Sequence, residues 1–179
     1  MQLLREKYQY APIDKVTTID RKRKYKLPDG TSVPSVTTIL SATTSEEKKR
    51  SLQQWRERVG VKEAQEITTE AANVGTLMHK NLESYINEQP RKAGGNMIHK
   101  QAYNMSNVII TEGLRYIDEI YGTEVSLYYS GLYAGTTDCV GLWKGNLAIL
   151  DFKQTNKPKK REWVDDYFCQ IAAYAQAHN

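Results

Sequence analysis

The chain is expected to fold as a mixed α/β (α+β) domain, a central mixed sheet flanked by helices, with a hairpin and a helical region ahead of the sheet. Three observations carry this. Leu147 to Leu150 form a continuous apolar run, as in a central strand buried on both faces. The run Tyr133 to Trp143 before it ends in Lys144-Gly145-Asn146, a turn signal that joins two antiparallel strands. The flanking stretches, Thr44 to Tyr121 and Glu162 onward, have helical spacing instead. The expected organisation is one domain over residues 1–179, with hairpin and helices in 1–122 and the sheet with its closing helix in 123–179.

The elements follow in order. Tyr25 to Val33 holds Pro28-Asp29-Gly30 between two short extended pieces and reads as a small hairpin. Thr44-Ser45-Glu46-Glu47 resembles a capping box and opens a region rich in Lys, Glu, Gln and Arg. Gly60 and Gly75 should divide that region into separate helices. Ala93-Gly94-Gly95-Asn96 is a loop, after which Met97 to Tyr121 reads as one long helix stopped by Gly122. Strands are expected near Glu124–Tyr129, Leu132–Trp143 and Leu147–Lys153, then a helix from Glu162.

Composition narrows the function classes. With 179 residues and 40% hydrophobic content the chain can bury a sizeable core. The net charge of +4 is modest, but cations cluster in Arg21 to Lys26 and in Lys157, Lys159, Lys160 and Arg161. The second cluster follows the last strand, where it could attract phosphates; a solvated loop is the plain alternative. Cys139 and Cys169 form no zinc signature and are too few to hold a four-cysteine iron–sulfur cluster, so none is expected. No secretory signal and no apolar segment of membrane-spanning length is seen, so the expectation is a soluble, intracellular protein with no membrane partner.

The chemistry concentrates at Gly135-Thr136-Thr137-Asp138 and Asp151-Phe152-Lys153. On a strand, Asp151 and Lys153 share one face while Phe152 turns to the other. The hairpin can bring Asp138 beside Asp151, and two neighbouring carboxylates are costly to keep ionised without a divalent cation. Mg2+, with Mn2+ as a substitute, suits oxygen ligands and substrate phosphates. Alone, the Asp-Xaa-Lys triplet reads more readily as a buried ion pair at a strand end. Two helical pairs accompany it, His79 with Glu83 and Gln170 with Tyr174, each one turn apart and therefore on one face.

In order and spacing, Gly75-Thr76…His79…Glu83, Gly135-Xaa-Xaa-Asp138, Asp151-Xaa-Lys153 and Gln170-Xaa-Xaa-Xaa-Tyr174 resemble the RecB-like branch of the PD-(D/E)XK nucleases. Within it the chain is most similar to the mitochondrial genome maintenance exonucleases and related phage exonucleases. Val33 to Leu40 and Glu124-Val125 extend the likeness. The resemblance implies a restriction-endonuclease-like core and a metal-dependent exonuclease acting on single-stranded DNA or frayed ends. A structure-specific endonuclease with the same centre and a noncatalytic DNA-binding module are the alternatives.

Carried over by position, Asp138 and Asp151 are implied as metal ligands, Lys153 as the catalytic lysine and His79 as a further active-site residue near the metal. Glu83 is implied as a supporting ligand or a group behind one. Gln170 and Tyr174 match the motif that borders the active site and positions DNA. Ser35 and Thr37 contact a phosphate or, on an equal footing, cap a helix after Pro34. The helices of Thr44 to Tyr121 are where the resemblance implies an arch that admits a single strand. Thr137 stands where the superfamily's proline would be, and Gln154 where relatives often have threonine. The superfamily core has one more strand after the Gln170–Tyr174 helix, which leaves open a sheet short of its last strand. By resemblance the location is phage-infected cytoplasm or the mitochondrial matrix, undecided, and the oligomeric state is left open.

Overall fold

The structure is a computed structural model and describes residues 1–18 and 22–179; Arg21, the first cation of the amino-terminal basic run, lies outside the described residues. The chain divides into two compact units. The first comprises Met1–Thr43, Ile117–Asp151 and Lys157–Asn179, and the second Thr44–Tyr116 with Phe152–Asn156.

In the first unit a mixed sheet is ordered β1 (Gln2–Leu3), β5 (Ile117–Tyr129), β6 (Tyr133–Trp143), β7 (Asn146–Leu150). β1 runs parallel to β5, and the other pairs are antiparallel. A second, antiparallel sheet is formed by β2 (Asp14–Thr17), β3 (Arg23–Lys26) and β4 (Ser32–Pro34), so the expected Pro28-Asp29-Gly30 hairpin is present as β3–β4. Asp29 stabilises it by accepting from the Thr31 amide at 2.8 Å. Two helices complete the unit, α1 (Val36–Ala42) and α5 (Asp165–His178). Their cores are Val36, Tyr121, Val125, Leu127, Val140 and Tyr174, and separately Tyr25, Leu27, Val33 and Ala134.

The β6–β7 connection explains the register. Lys144 and Gly145 both take positive φ, 49° and 74°, as a two-residue type I′ turn requires, and glycine has no Cβ to oppose it. Asp118 holds the turn by accepting from the Gly145 amide at 2.8 Å. The ladder then pairs Trp143 with Asn146 and ends with Cys139 opposite Leu150.

The second unit contains α2 (Glu46–Val59), α3 (Val61–Ile86) and α4 (Met97–Glu112). Ser45, not Thr44, caps α2, accepting from the Lys48 amide, so Glu46 and Glu47 fall in the first turn and favour the helix dipole there. Gly60 does separate two helices, at φ 92°. Gly75 does not: α3 runs through it, because Val74, Met78, Leu82 and Ile86 recur every fourth residue as a buried stripe whose burial outweighs the roughly 1 kcal/mol cost of one glycine. The expected helix to Tyr121 is also corrected. α4 stops at Glu112, Gly113 follows, and Ile117 begins a 13-residue strand whose Ile117, Ile120 and Tyr121 are buried.

Arg91 anchors the loop between α3 and α4. Its guanidinium donates to Ser106 Oγ and Asn107 Oδ1, both at 2.7 Å, and lies over the rings of Tyr103 and Tyr85 at 4.7 and 5.8 Å. Arg91→Ala removes two charge-assisted bonds and the ring contacts, so it should lower stability by about 2 kcal/mol, read as a fall in the urea midpoint. An unchanged midpoint would mean the loop is held by other contacts.

Candidate metal and active site

The hairpin brings Asp138 and Asp151 to the same end of the β6–β7 ladder. Cys139 pairs with Leu150 as the last rung of the ladder; Asp138 precedes that rung on β6 and Asp151 follows it just past β7. Thr137 fixes the end of that ladder: its buried hydroxyl donates to the Leu150 carbonyl at 2.9 Å, next to Asp151. The residue standing in the superfamily's proline position thus braces the strand end.

A third carboxylate comes from β5. Thr123 pairs with Cys139 and Val125 with Thr137, so Glu124 sits across from Asp138, and their carboxylate oxygens lie within 4.8 Å of one another. Glu124 has φ 50°, a left-handed conformation rare for a non-glycine residue and uncommon inside a strand. The register shift at Ile120–Gly122 precedes it, and such irregularities re-aim side chains. Sequence reasoning noted Glu124 only as part of the family likeness; nothing in its period-2 pattern marks it as a ligand. Two unit charges about 4 Å apart repel by roughly 4 kcal/mol at an effective dielectric near 20, a cost a divalent cation reverses. Paired carboxylate oxygens of this kind suit a hard ion such as Mg2+ or Mn2+. Glu124 also lines an open cleft of about 880 Å³ between residues 5–13 and Tyr121–Ser126.

Behind Asp151 lies α5. The Gln170 side-chain amide donates to Asp151 Oδ1 at 3.1 Å and to the Tyr174 hydroxyl at 3.0 Å, and both residues are buried. The helical pair Gln170 and Tyr174 therefore orients the Asp151 carboxylate. Gly135 makes this possible: a Cβ there would lie 2.3 Å from Tyr174 Cε1. Burial pushes the Tyr174 phenol up to about 12, against the bond from Gln170 and with help from the charges of Asp151, Tyr25 and Asp138. A phenol raised in the folded state gives stability that is intact below its unfolded value near 10 and lost as pH climbs through 12. Thermal denaturation should show a falling midpoint across that window. Tyr174→Phe should fall less steeply, since one raised phenol is gone, although the half-buried Tyr10 phenol and the Cys139 thiol, both raised to about 12, and the raised phenols of Tyr121 and Tyr133 remain.

The other expected residues distribute as follows. β7 ends at Leu150, so Asp151 and Lys153 lie beyond the ladder and strand alternation does not set their facing; Lys153 is exposed. His79 Nε2 lies 2.9 Å from the Phe152 carbonyl, within the second unit, and Glu83 is exposed on the same helix. Ser35 is buried and caps α1, accepting from the Thr38 amide at 3.0 Å, so its hydroxyl faces inward; Thr37 is exposed. Lys157, Lys159, Lys160 and Arg161 are all exposed.

The mixed sheet with its helices is consistent with a restriction-endonuclease-like α+β fold, and the carboxylates at its hairpin fit a divalent cation. No family model matches the chain. It is similar in sequence to the mitochondrial genome maintenance exonucleases. Identity to mitochondrial genome maintenance exonuclease 1 of Mus musculus is 32% over 157 residues, covering 83% of this chain and 45% of the relative. For the Xenopus tropicalis protein of that name it is 30% over 189 residues, covering 94% and 50%, and for the Homo sapiens one 27% over 177 residues, covering 93% and 50%. The chain thus spans about half the length of the curated relatives it matches. Among the described residues, no helix is long and apolar enough to cross a membrane.

Proposed function

We propose that the chain is a metal-dependent deoxyribonuclease, an exonuclease that hydrolyses phosphodiester bonds of single-stranded DNA or frayed ends. The observation that carries this reading is the pair of carboxylates Glu124 and Asp138 on adjoining strands, with Asp151 just past the end of β7, in a chain similar to proteins named exonucleases. These three would hold Mg2+ or Mn2+, which supplies Lewis-acid polarisation of a phosphate oxygen and a water of lowered pKa. Gln170 keeps the Asp151 carboxylate turned toward that role, and Tyr174 fixes Gln170 in turn. Lys153 orients the nucleophile and offsets charge developing on the phosphate. His79 is proposed as the further active-site residue and Glu83 as its supporting group, on the resemblance of their spacing.

End-labelled linear single-stranded, linear duplex and circular single-stranded DNA, each with and without Mg2+, test the reading. Mononucleotides or short products from linear single strands, only with metal and with circles intact, are the expected result. Cleavage of circles would make the chain an endonuclease. Absence of metal-dependent cleavage by the folded chain would leave a DNA-binding module.

A further inference from the structure

We propose that the segment Lys157–Trp163 and the first turn of α5 form a stacking platform for unpaired bases of a single DNA strand, an inference that rests on the nuclease reading and names how that enzyme would prefer single strands. Four of the five residues Lys157–Arg161 are cations, and three sit over aromatic rings. Lys159 Nζ is 5.6 Å from the Tyr167 ring centre, Lys160 Nζ 5.5 Å from that of Trp163, and the Arg161 guanidinium 4.4 Å from that of Phe168. Trp163 is 52% and Phe168 56% exposed, although each could bury a large apolar area.

A merely solvated basic loop accounts for the cations but not for the rings. A single exposed apolar residue is ordinary, but Trp163 and Phe168, close in sequence and each beside a cation, offer a patch suited to a ligand with flat faces. A single strand offers what both need: phosphates for the cations and base faces for the rings, a combination worth far more than charge alone. A duplex supplies the phosphates but keeps its bases stacked inside. Arg161 also pairs with Asp165, and Glu162 and Asp166 stand nearby in the chain, so the phosphate contacts fall mainly to Lys157, Lys159 and Lys160. The loop begins four residues after Lys153, which puts a strand held here close along the chain to the proposed catalytic lysine.

Binding of fluorescently labelled oligothymidylate to the full chain, measured in EDTA so that cleavage does not intervene, tests this. Trp163→Ala and Phe168→Ala should each weaken binding by roughly tenfold, while Trp163→Phe keeps most of it. Against an abasic oligomer of the same length, the alanine variants should match wild type. Unchanged oligothymidylate affinity in both alanine variants overturns the platform. Equal losses with the abasic oligomer, or with duplex, also overturn it, as does wild-type binding to anionic phospholipid vesicles that Trp163→Ala abolishes while DNA binding stands. Wild type that binds through the platform yet never cleaves with metal would instead defeat the nuclease reading.

Discussion

Lys153→Ala is expected to lower metal-dependent cleavage by at least about 10²- to 10³-fold, the scale on which a lost transition-state stabiliser acts. Lys153 is exposed and lies outside the ladders, so its removal should leave the thermal midpoint and oligonucleotide affinity close to wild type. Single-turnover cleavage of a labelled linear strand, with circular dichroism as the fold control, reads both. Lys153→Arg keeps charge but not a compact, rotatable ammonium, and should recover little of the activity. Cleavage retained by Lys153→Ala would remove the lysine from the mechanism.

Gly135→Ala should lower stability substantially through a single added carbon. Its Cβ would meet Tyr174 at 2.3 Å on Cε1 and 2.9 Å on the hydroxyl, and Tyr174 is only 3% exposed, with no space to retreat. Overpacking of this kind costs about 1 to 3 kcal/mol, read as a shift in the urea midpoint. Cleavage should fall as well, because displacing Tyr174 disturbs Gln170 and through it Asp151. The double variant Gly135→Ala with Tyr174→Ala distinguishes the cause: the clash vanishes with the ring, so the two losses should be far from additive. Strict additivity would show that Gly135 matters for some reason other than room for Tyr174.

The parts of the site legible in the sequence are those set by local rules. Lys144-Gly145 announces a tight turn, and a tight turn with a known register brings Asp138 and Asp151 to the same end of the ladder. Gln170 and Tyr174 share a helix face for the same kind of reason, and the structure adds that they act on Asp151 through one amide. Glu124 was not legible as a ligand, since its aim comes from an irregular strand and a positive φ that no alternation pattern shows. The α4–β5 boundary was missed because Met97 to Glu112 is helical and nothing in the residues after Gly113 forbids continuation until tertiary burial of Ile117 and Ile120 decides for a strand. Gly75 was overvalued for the opposite reason, a weak local preference overridden by a buried stripe. Ser35 kept the capping role that was one of its two readings.

The most direct test is Mn2+ titration of the wild-type chain, Glu124→Gln and Asp138→Asn by isothermal calorimetry, each paired with cleavage of a linear single strand. The account predicts binding to wild type that weakens at least roughly tenfold in both variants, with cleavage lost in parallel. Wild-type affinity in Glu124→Gln and Asp138→Asn, or cleavage that persists in EDTA, would contradict it.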